Sequence, residues 1–159
     1  HDEHQRLRNF FKYEFAFDID RPAVHEVRKT IKAFIDDAVL MPHRTIPDCY
    51  QVTSSGFRKL KLFAAFMKPY FESYMVALRF LMRHPKSKAR GKDRVKKINA
   101  RGNRMYKRKQ IQRRESISKI NYLNALEYFN YHGIRGSEDR EKAETYRNAI
   151  QKYLELIPG

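Results

Sequence analysis

Leu7, Phe10, Phe11 and Phe15 recur at helical spacing and predict a short amphipathic helix over residues 5–15. Asp18 and Asp20, ahead of Arg21-Pro22, supply an N-cap and a proline near the first position of a second helix. That helix is expected from about 22 to 38, with Val24, Val27, Ile31, Phe34, Ile35 and Ala38 on its apolar face. Val39-Leu40-Met41 and Cys49-Tyr50-Gln51-Val52 are β-prone runs flanking a turn-rich stretch, Pro42 to Asp48, and together read as a hairpin. Helix, helix, hairpin is the order of a winged-helix unit. Ser54 and Ser55 are N-cap candidates for a long third helix bearing Phe57, Leu60, Phe63, Met67, Tyr70, Phe71, Tyr74, Leu78 and Leu81. Its wide apolar stripe predicts a largely buried spine, kinked or split at Pro69. His84-Pro85 ends it.

Residues 85–93 read as a mobile basic linker. A helix over Arg94 to Arg108 would turn Val95, Ile98, Ala100 and Met105 inward, with Gly102 weakening it. Ser118 caps a helix carrying Ile120, Leu123, Ala125, Leu126, Tyr128 and Phe129, which Gly133 stops at C′. Ser137-Glu138-Asp139 caps the last helix and places acids at its positive end. The expected fold is mainly α, with five or six helices and one short β-hairpin. A winged-helix-like N-terminal part, 1–56, precedes a helical bundle, 57–159, the two making one compact accessory domain.

Composition narrows the class. Of 159 residues, 42% are hydrophobic and 13% aromatic, enough for a packed core and too many for a disordered chain. The single Cys49 excludes an internal disulfide framework and a four-cysteine zinc site. The most apolar region, Phe57 to Met82, is interrupted by Lys61, Lys68, Glu72 and Arg79, which excludes an ordinary membrane-spanning helix. His1-Asp2-Glu3-His4 is too polar for a signal peptide, and the start without Met suggests a fragment or a processed piece.

The formal net charge is +16, and its position matters more than its size. Arg79 to Arg114 holds 16 Lys and Arg against one acid, Asp93, while the rest of the chain holds 18 basic and 17 acidic residues. So dense a block attracts polyanions, whether nucleic-acid phosphates or anionic lipid headgroups. The residues expected to hold them are Arg79, Arg83, Lys86, Lys88, Arg90, Lys92, Arg94, Lys96, Lys97, Arg101, Arg104, Lys107 and Arg108. The apolar helix leading into this cluster is the arrangement of a peripheral membrane contact.

Signs of catalysis are sparse. His43 and Asp48 form His-x-x-x-x-Asp, the spacing of a general base and its orienting carboxylate in glycerolipid acyltransferases. This copy lies in a Pro-flanked turn, with no Gly-rich phosphate-binding stretch or Glu-Gly-Thr-Arg-like segment downstream, so a hairpin turn is the better reading. His25, His84 and His132 have no companion at metal-ligand spacing and read as surface or part-buried histidines. Cys49 reads as a small buried apolar residue. Arg113-Arg114-Glu115-Ser116 looks like a phosphorylation site, but helix initiation at Ser116 or Ser118 is simpler. The aromatic stripe Phe63, Phe66, Tyr70, Phe71 and Tyr74 suits a core better than an acyl chain. No cofactor and no metal is expected.

Four strings stand in a suggestive order. They are Phe57-Arg58-Lys59-Leu60-Lys61-Leu62-Phe63-Ala64, Lys68-Pro69-Tyr70-Phe71-Glu72-Ser73-Tyr74, Gly102-Asn103-Arg104-Met105-Tyr106 and Ser118-Lys119-Ile120-Asn121-Tyr122-Leu123-Asn124-Ala125-Leu126. The series resembles the C-terminal region of membrane-bound glycerol-3-phosphate acyltransferases of the bacterial and mitochondrial type. Phe11 to Leu40 is similar to the segment after their catalytic domain, so the resemblance covers most of the chain. That family moves an acyl group from acyl-CoA or acyl carrier protein to glycerol 3-phosphate, using an upstream α/β domain. The resemblance therefore implies a non-catalytic accessory domain whose partners are an anionic membrane surface and the upstream catalytic domain. Its implied place is peripheral on a membrane, on the cytoplasmic face or otherwise intracellular. His43 and Asp48 would not be catalysts, because the family's own pair lies upstream. The alternative is a winged-helix-like nucleic-acid binder using the basic block for phosphates. Against it, residues 22–38 balance Glu26, Asp36 and Asp37 with Arg28, Lys29 and Lys32, which makes a poor recognition helix.

Overall fold

A computed structural model describes residues 2–16, 22–89 and 93–157. The order is α1 (Asp2–Phe10), α2 (Ala23–Asp36), β1 (Leu40–Pro42), β2 (Tyr50–Val52), α3 (Ser54–Leu81), a single turn α4 (Lys86–Ala89), α5 (Arg94–Lys107), α6 (Lys119–Tyr131) and α7 (Arg140–Leu156). Short 3-10 turns cover Arg114–Ser116 and Ser137–Asp139. The fold is mainly α, as the periodicity predicts. The chain divides into two compact units, His1–Ala64 and Ala65–Gly159.

In the first unit α1 stops at Phe10, and residues 11–15 form turns in place of the expected continuous helix. Phe10 and Phe11 are buried with their rings edge to face, 4.9 Å between centroids. The expected caps Asp18 and Asp20 lie outside the described residues. α2 ends with Ala38 in a left-handed conformation, φ 52°, and with the Val39 amide bonded to the Phe34 carbonyl at 2.7 Å. Ala38 is therefore an exposed C′ residue and not part of the apolar face. This turn uses Val39, so the strands begin one residue later than expected on each side. They pair antiparallel as Leu40 with Val52, Met41 with Gln51 and Pro42 with Tyr50.

α3 is capped by Thr53, not by Ser54 or Ser55. The Thr53 hydroxyl accepts the Gly56 amide at 2.8 Å and donates to the Ala38 carbonyl at 2.7 Å, tying the start of α3 to the end of α2. At Gly56 a side chain would run into the Val39 backbone. α3 then runs for 28 residues past Pro69 without splitting.

The second unit is built around the later part of α3. Every residue from Phe71 to Leu78 is buried. Tyr74 packs on Tyr128 and Phe129 of α6, with ring centroids 5.8 and 5.9 Å away, and Phe71 stacks on Tyr153 of α7 at 4.9 Å. Two charged side chains are buried in this wall. Lys68 donates to the Ile157 carbonyl at 3.4 Å. The Glu72 carboxylate accepts the amides of Gln112 and Arg113, at 2.7 and 2.9 Å, and the Ser116 hydroxyl. Ser116 is fully buried and starts no helix. Ser118 is the cap of α6, accepting the Asn121 amide at 3.3 Å. Gly133, φ 75°, closes that helix as expected.

α5 and α6 meet closely at Gly102, where a methyl would overlap the Tyr122 hydroxyl. The glycine that weakens the helix on propensity is the one that lets Tyr122 in. That hydroxyl is buried with no partner among the described residues, and burial pushes its pKa up. α7 is not capped through Ser137 or a side-chain cap on Asp139. Instead the Asp139 carboxylate accepts the Arg135 amide at 2.7 Å and pairs with Lys86 Nζ at 3.3 Å, and these hold its pKa below the usual aspartate value.

Candidate functional site

Three helical segments converge on one cleft of about 580 Å³ in the second unit. Arg79, Met82 and Arg83 come from the end of α3 and the turn after it. Arg101, Arg104, Met105 and Arg108 come from α5 and its C-cap, and Arg140, Glu144 and Arg147 from α7; Gln110 completes the wall. Each set recurs every three or four residues, so each forms a stripe on one helical flank. Seven guanidinium groups thus face one carboxylate.

Glu144 is already taken. Arg147 holds it with both terminal nitrogens, at 3.2 and 2.8 Å. Among the described residues no acid pairs with Arg79, Arg83, Arg101, Arg104, Arg108 or Arg140. Arg101 is part-buried, and its Nε–H has no acceptor among the described residues. Burial, followed by Arg83, Arg79 and Arg104, pushes its pKa down to about 10, which leaves it charged at neutral pH. Arg79 is lowered by burial and then by Arg147 and Arg83.

Of the thirteen cations expected from sequence, the cleft gathers Arg79, Arg83, Arg101, Arg104 and Arg108. Lys96, Lys97 and Lys107 are exposed elsewhere on or beside α5. Arg94 lines a smaller hollow of about 360 Å³ with Leu81, Glu127, Asn130 and Arg135. The Lys86 amide donates to both Glu138 oxygens at 3.1 Å, and its ammonium pairs with Asp139, so Lys86 serves the fold. Arg90, Lys92 and the Lys88 side chain lie outside the described residues. Arg140 and Arg147 do not stand out in the sequence because α7 also carries Glu141, Glu144 and Glu155. The signal that finds them is the spacing Arg140, Glu144, Arg147.

The hairpin pair is arranged otherwise. His43 Nδ1 accepts the amides of Ile46 and Thr45, at 3.2 and 3.3 Å, and so caps its own turn. Asp48 is exposed in a left-handed conformation, φ 55°, and no hydrogen bond joins it to His43. Cys49 is half-exposed and not the buried residue expected. His84 donates through Nδ1 to the Phe80 carbonyl at 2.8 Å and stacks on the Phe80 ring. The aromatic stripe divides: Phe71 and Tyr74 are core, whereas Phe63 and Phe66 are exposed. Among the described residues no group of His, Cys, Asp and Glu is placed to hold a metal. Nor is any helix of the described residues long and apolar enough to cross a membrane.

The described residues thus form a mainly helical module with an arginine-lined cleft. Residues 1–138 match the family of the glycerol-3-phosphate acyltransferase C-terminal region, and the chain belongs to that family. No curated protein and no solved structure matches it. The match ends just before α7, so Arg140 and Arg147 lie beyond it.

Proposed function

We propose that this chain is a non-catalytic accessory domain of a glycerol-3-phosphate acyltransferase in phospholipid biosynthesis, and that it attaches peripherally to an anionic membrane surface. The observation that carries the reading is the gathering of arginines from α3, α5 and α7, flanked by the exposed lysines of α5. A surface of this kind attracts phosphate-bearing headgroups, each Lys or Arg near it contributing about 1 kcal/mol. Acyl transfer belongs to the upstream catalytic domain.

The test is co-sedimentation with vesicles. Binding is expected to phosphatidylcholine vesicles containing phosphatidylserine, and to fall as salt is raised. Reversing Lys96, Lys97 and Lys107 to Glu should weaken it at least a hundredfold, from about 1 kcal/mol for each charge removed. Equal binding to vesicles of phosphatidylcholine alone would overturn the electrostatic mechanism. Docking on the catalytic domain is supported by a different observation, the exposed apolar side chains Phe57, Leu62, Phe63 and Phe66. Replacing Leu62 and Phe66 by Ser should weaken association with that domain and spare vesicle binding.

A further inference from the structure

The choice of cation separates the cleft from the rest of the basic block. All seven cationic residues lining the cleft among the described residues are arginine, while the outer positions of α5 hold Lys96, Lys97 and Lys107. Lysine suits a solvated face, being a compact and strongly hydrated point charge. Arginine presents a planar fork that meets two phosphate oxygens at once and loses less on leaving water.

The electrostatics are unbalanced in the same place. Six guanidinium groups have no acid partner among the described residues, and Arg101 keeps a buried Nε–H without an acceptor. A buried donor left unpaired is destabilising, and like charges at close range add to that. An anion in the cleft offsets the repulsion among these guanidinium groups. One phosphate diester carries a single negative charge and leaves most of this field uncompensated.

Size and lining narrow the ligand further. At about 580 Å³ the cleft is far larger than one phosphate ion needs and lies within the ordinary range of small-molecule sites. None of its described lining residues is aromatic, so a nucleobase finds no ring to stack on. Among the described lining residues Gln110 and Glu144 supply the oxygen acceptors, and acceptors are what sugar or polyol hydroxyls require.

We propose that this cleft binds a polyol bearing two or more phosphate groups, either as a lipid headgroup or free in solution. The phosphates lie against the unpaired arginines around Arg101, and the hydroxyls meet Gln110 and Glu144. The proposal deepens the membrane reading and rests on it for the lipid-borne form.

The test is titration calorimetry on this chain with inositol hexakisphosphate, against inorganic phosphate and unphosphorylated inositol, in physiological salt. Inositol hexakisphosphate should bind, and neither control should. Arg101→Met should weaken binding about tenfold or more, the loss of one charge-assisted contact, and should leave the melting temperature of the ligand-free chain unchanged or raised. If Arg101→Met does not fold, Arg83→Gln, on an exposed side chain, carries the same test. Lys96→Gln with Lys107→Gln removes two charges outside the cleft and should change affinity less than threefold. An equal loss in the lysine and arginine variants overturns the proposal, as does the absence of binding. An acidic peptide of matched charge that competes as well as the polyphosphate also overturns it, by making the cleft a protein-docking site.

Vesicles separate the two sources. Binding to vesicles containing phosphatidylinositol bisphosphate, reduced by Arg101→Met while phosphatidylserine vesicles of equal surface charge are unaffected, supports the lipid-borne form. Binding of the soluble polyphosphate with no response from either vesicle supports the free form and overturns the membrane reading alone. Binding to phosphatidylserine vesicles with no polyphosphate affinity overturns the cleft proposal alone.

Discussion

Between Ser54 and Phe66, α3 leaves Phe57, Leu62, Phe63 and Phe66 from 52% to 66% exposed, whereas from Phe71 to Leu78 nothing is more than 2% exposed. Both stretches are rich in aromatic and aliphatic residues, and both are helical. They differ in what surrounds them. The earlier stretch is held by the Thr53 cap and by Phe63 stacking on Phe34, with ring centroids 6.4 Å apart. The later one is enclosed by α6, α7 and the 111–118 segment, and even its carboxylate, Glu72, finds three donors. Hydrophobic content makes a helix able to be buried, but neighbours distant in sequence decide whether it is.

The contrast is broken or sharpened by four sets of variants. Glu72→Ala should cost most, about 3–5 kcal/mol, because two part-buried amides and one fully buried hydroxyl lose their acceptor. Urea denaturation measures it, and a cost under 1 kcal/mol would show that the 111–118 segment is not held by this carboxylate. Gly102→Ala comes next, at about 2 kcal/mol, since a methyl cannot share space with the Tyr122 ring end; thermal unfolding of the purified variant reads it. Thr53→Ala should cost about 1–2 kcal/mol, the loss of a cap and of its tie to Ala38, seen as earlier fraying of the amides of residues 54–57 in hydrogen exchange. Leu62→Ser and Phe66→Ser should each stay within about 0.5 kcal/mol. If either costs as much as Glu72→Ala, the two stretches are alike after all.

The same contrast explains what the sequence could and could not show. The positions of α2, α3, α5, α6 and α7, the hairpin, the Ser118 cap and the Gly133 stop are legible, because each depends on residues within a few positions of one another; the end of α1 at Phe10 and the turn α4 are not. Lys68 and Glu72 were legible only as charges that forbid a membrane span. Their burial depends on Ile157, Gln112, Arg113 and Ser116, which periodicity does not bring to α3. The cleft was half legible. The contiguous run of charge marks Arg79 through Arg108 but does not distinguish Lys96 from Arg101, and Arg140 and Arg147 are hidden on an acid-bearing helix. Expected caps failed where a neighbouring side chain outcompeted them, as Thr53 does Ser54. Asp139 failed as a cap for another reason, since its carboxylate is drawn to Arg135 and Lys86.

The meeting of Gly102 with Tyr122 sets an order on how this chain can vary. Alanine at 102 is blocked while the phenol is present, but Tyr122→Phe removes the obstructing oxygen and leaves the ring carbon 3.4 Å from the new methyl. That first step also discards a hydroxyl that has no partner. A lineage or a laboratory library can therefore reach the Ala–Phe pair through position 122 and not through position 102, so the two sites should change together and in one direction.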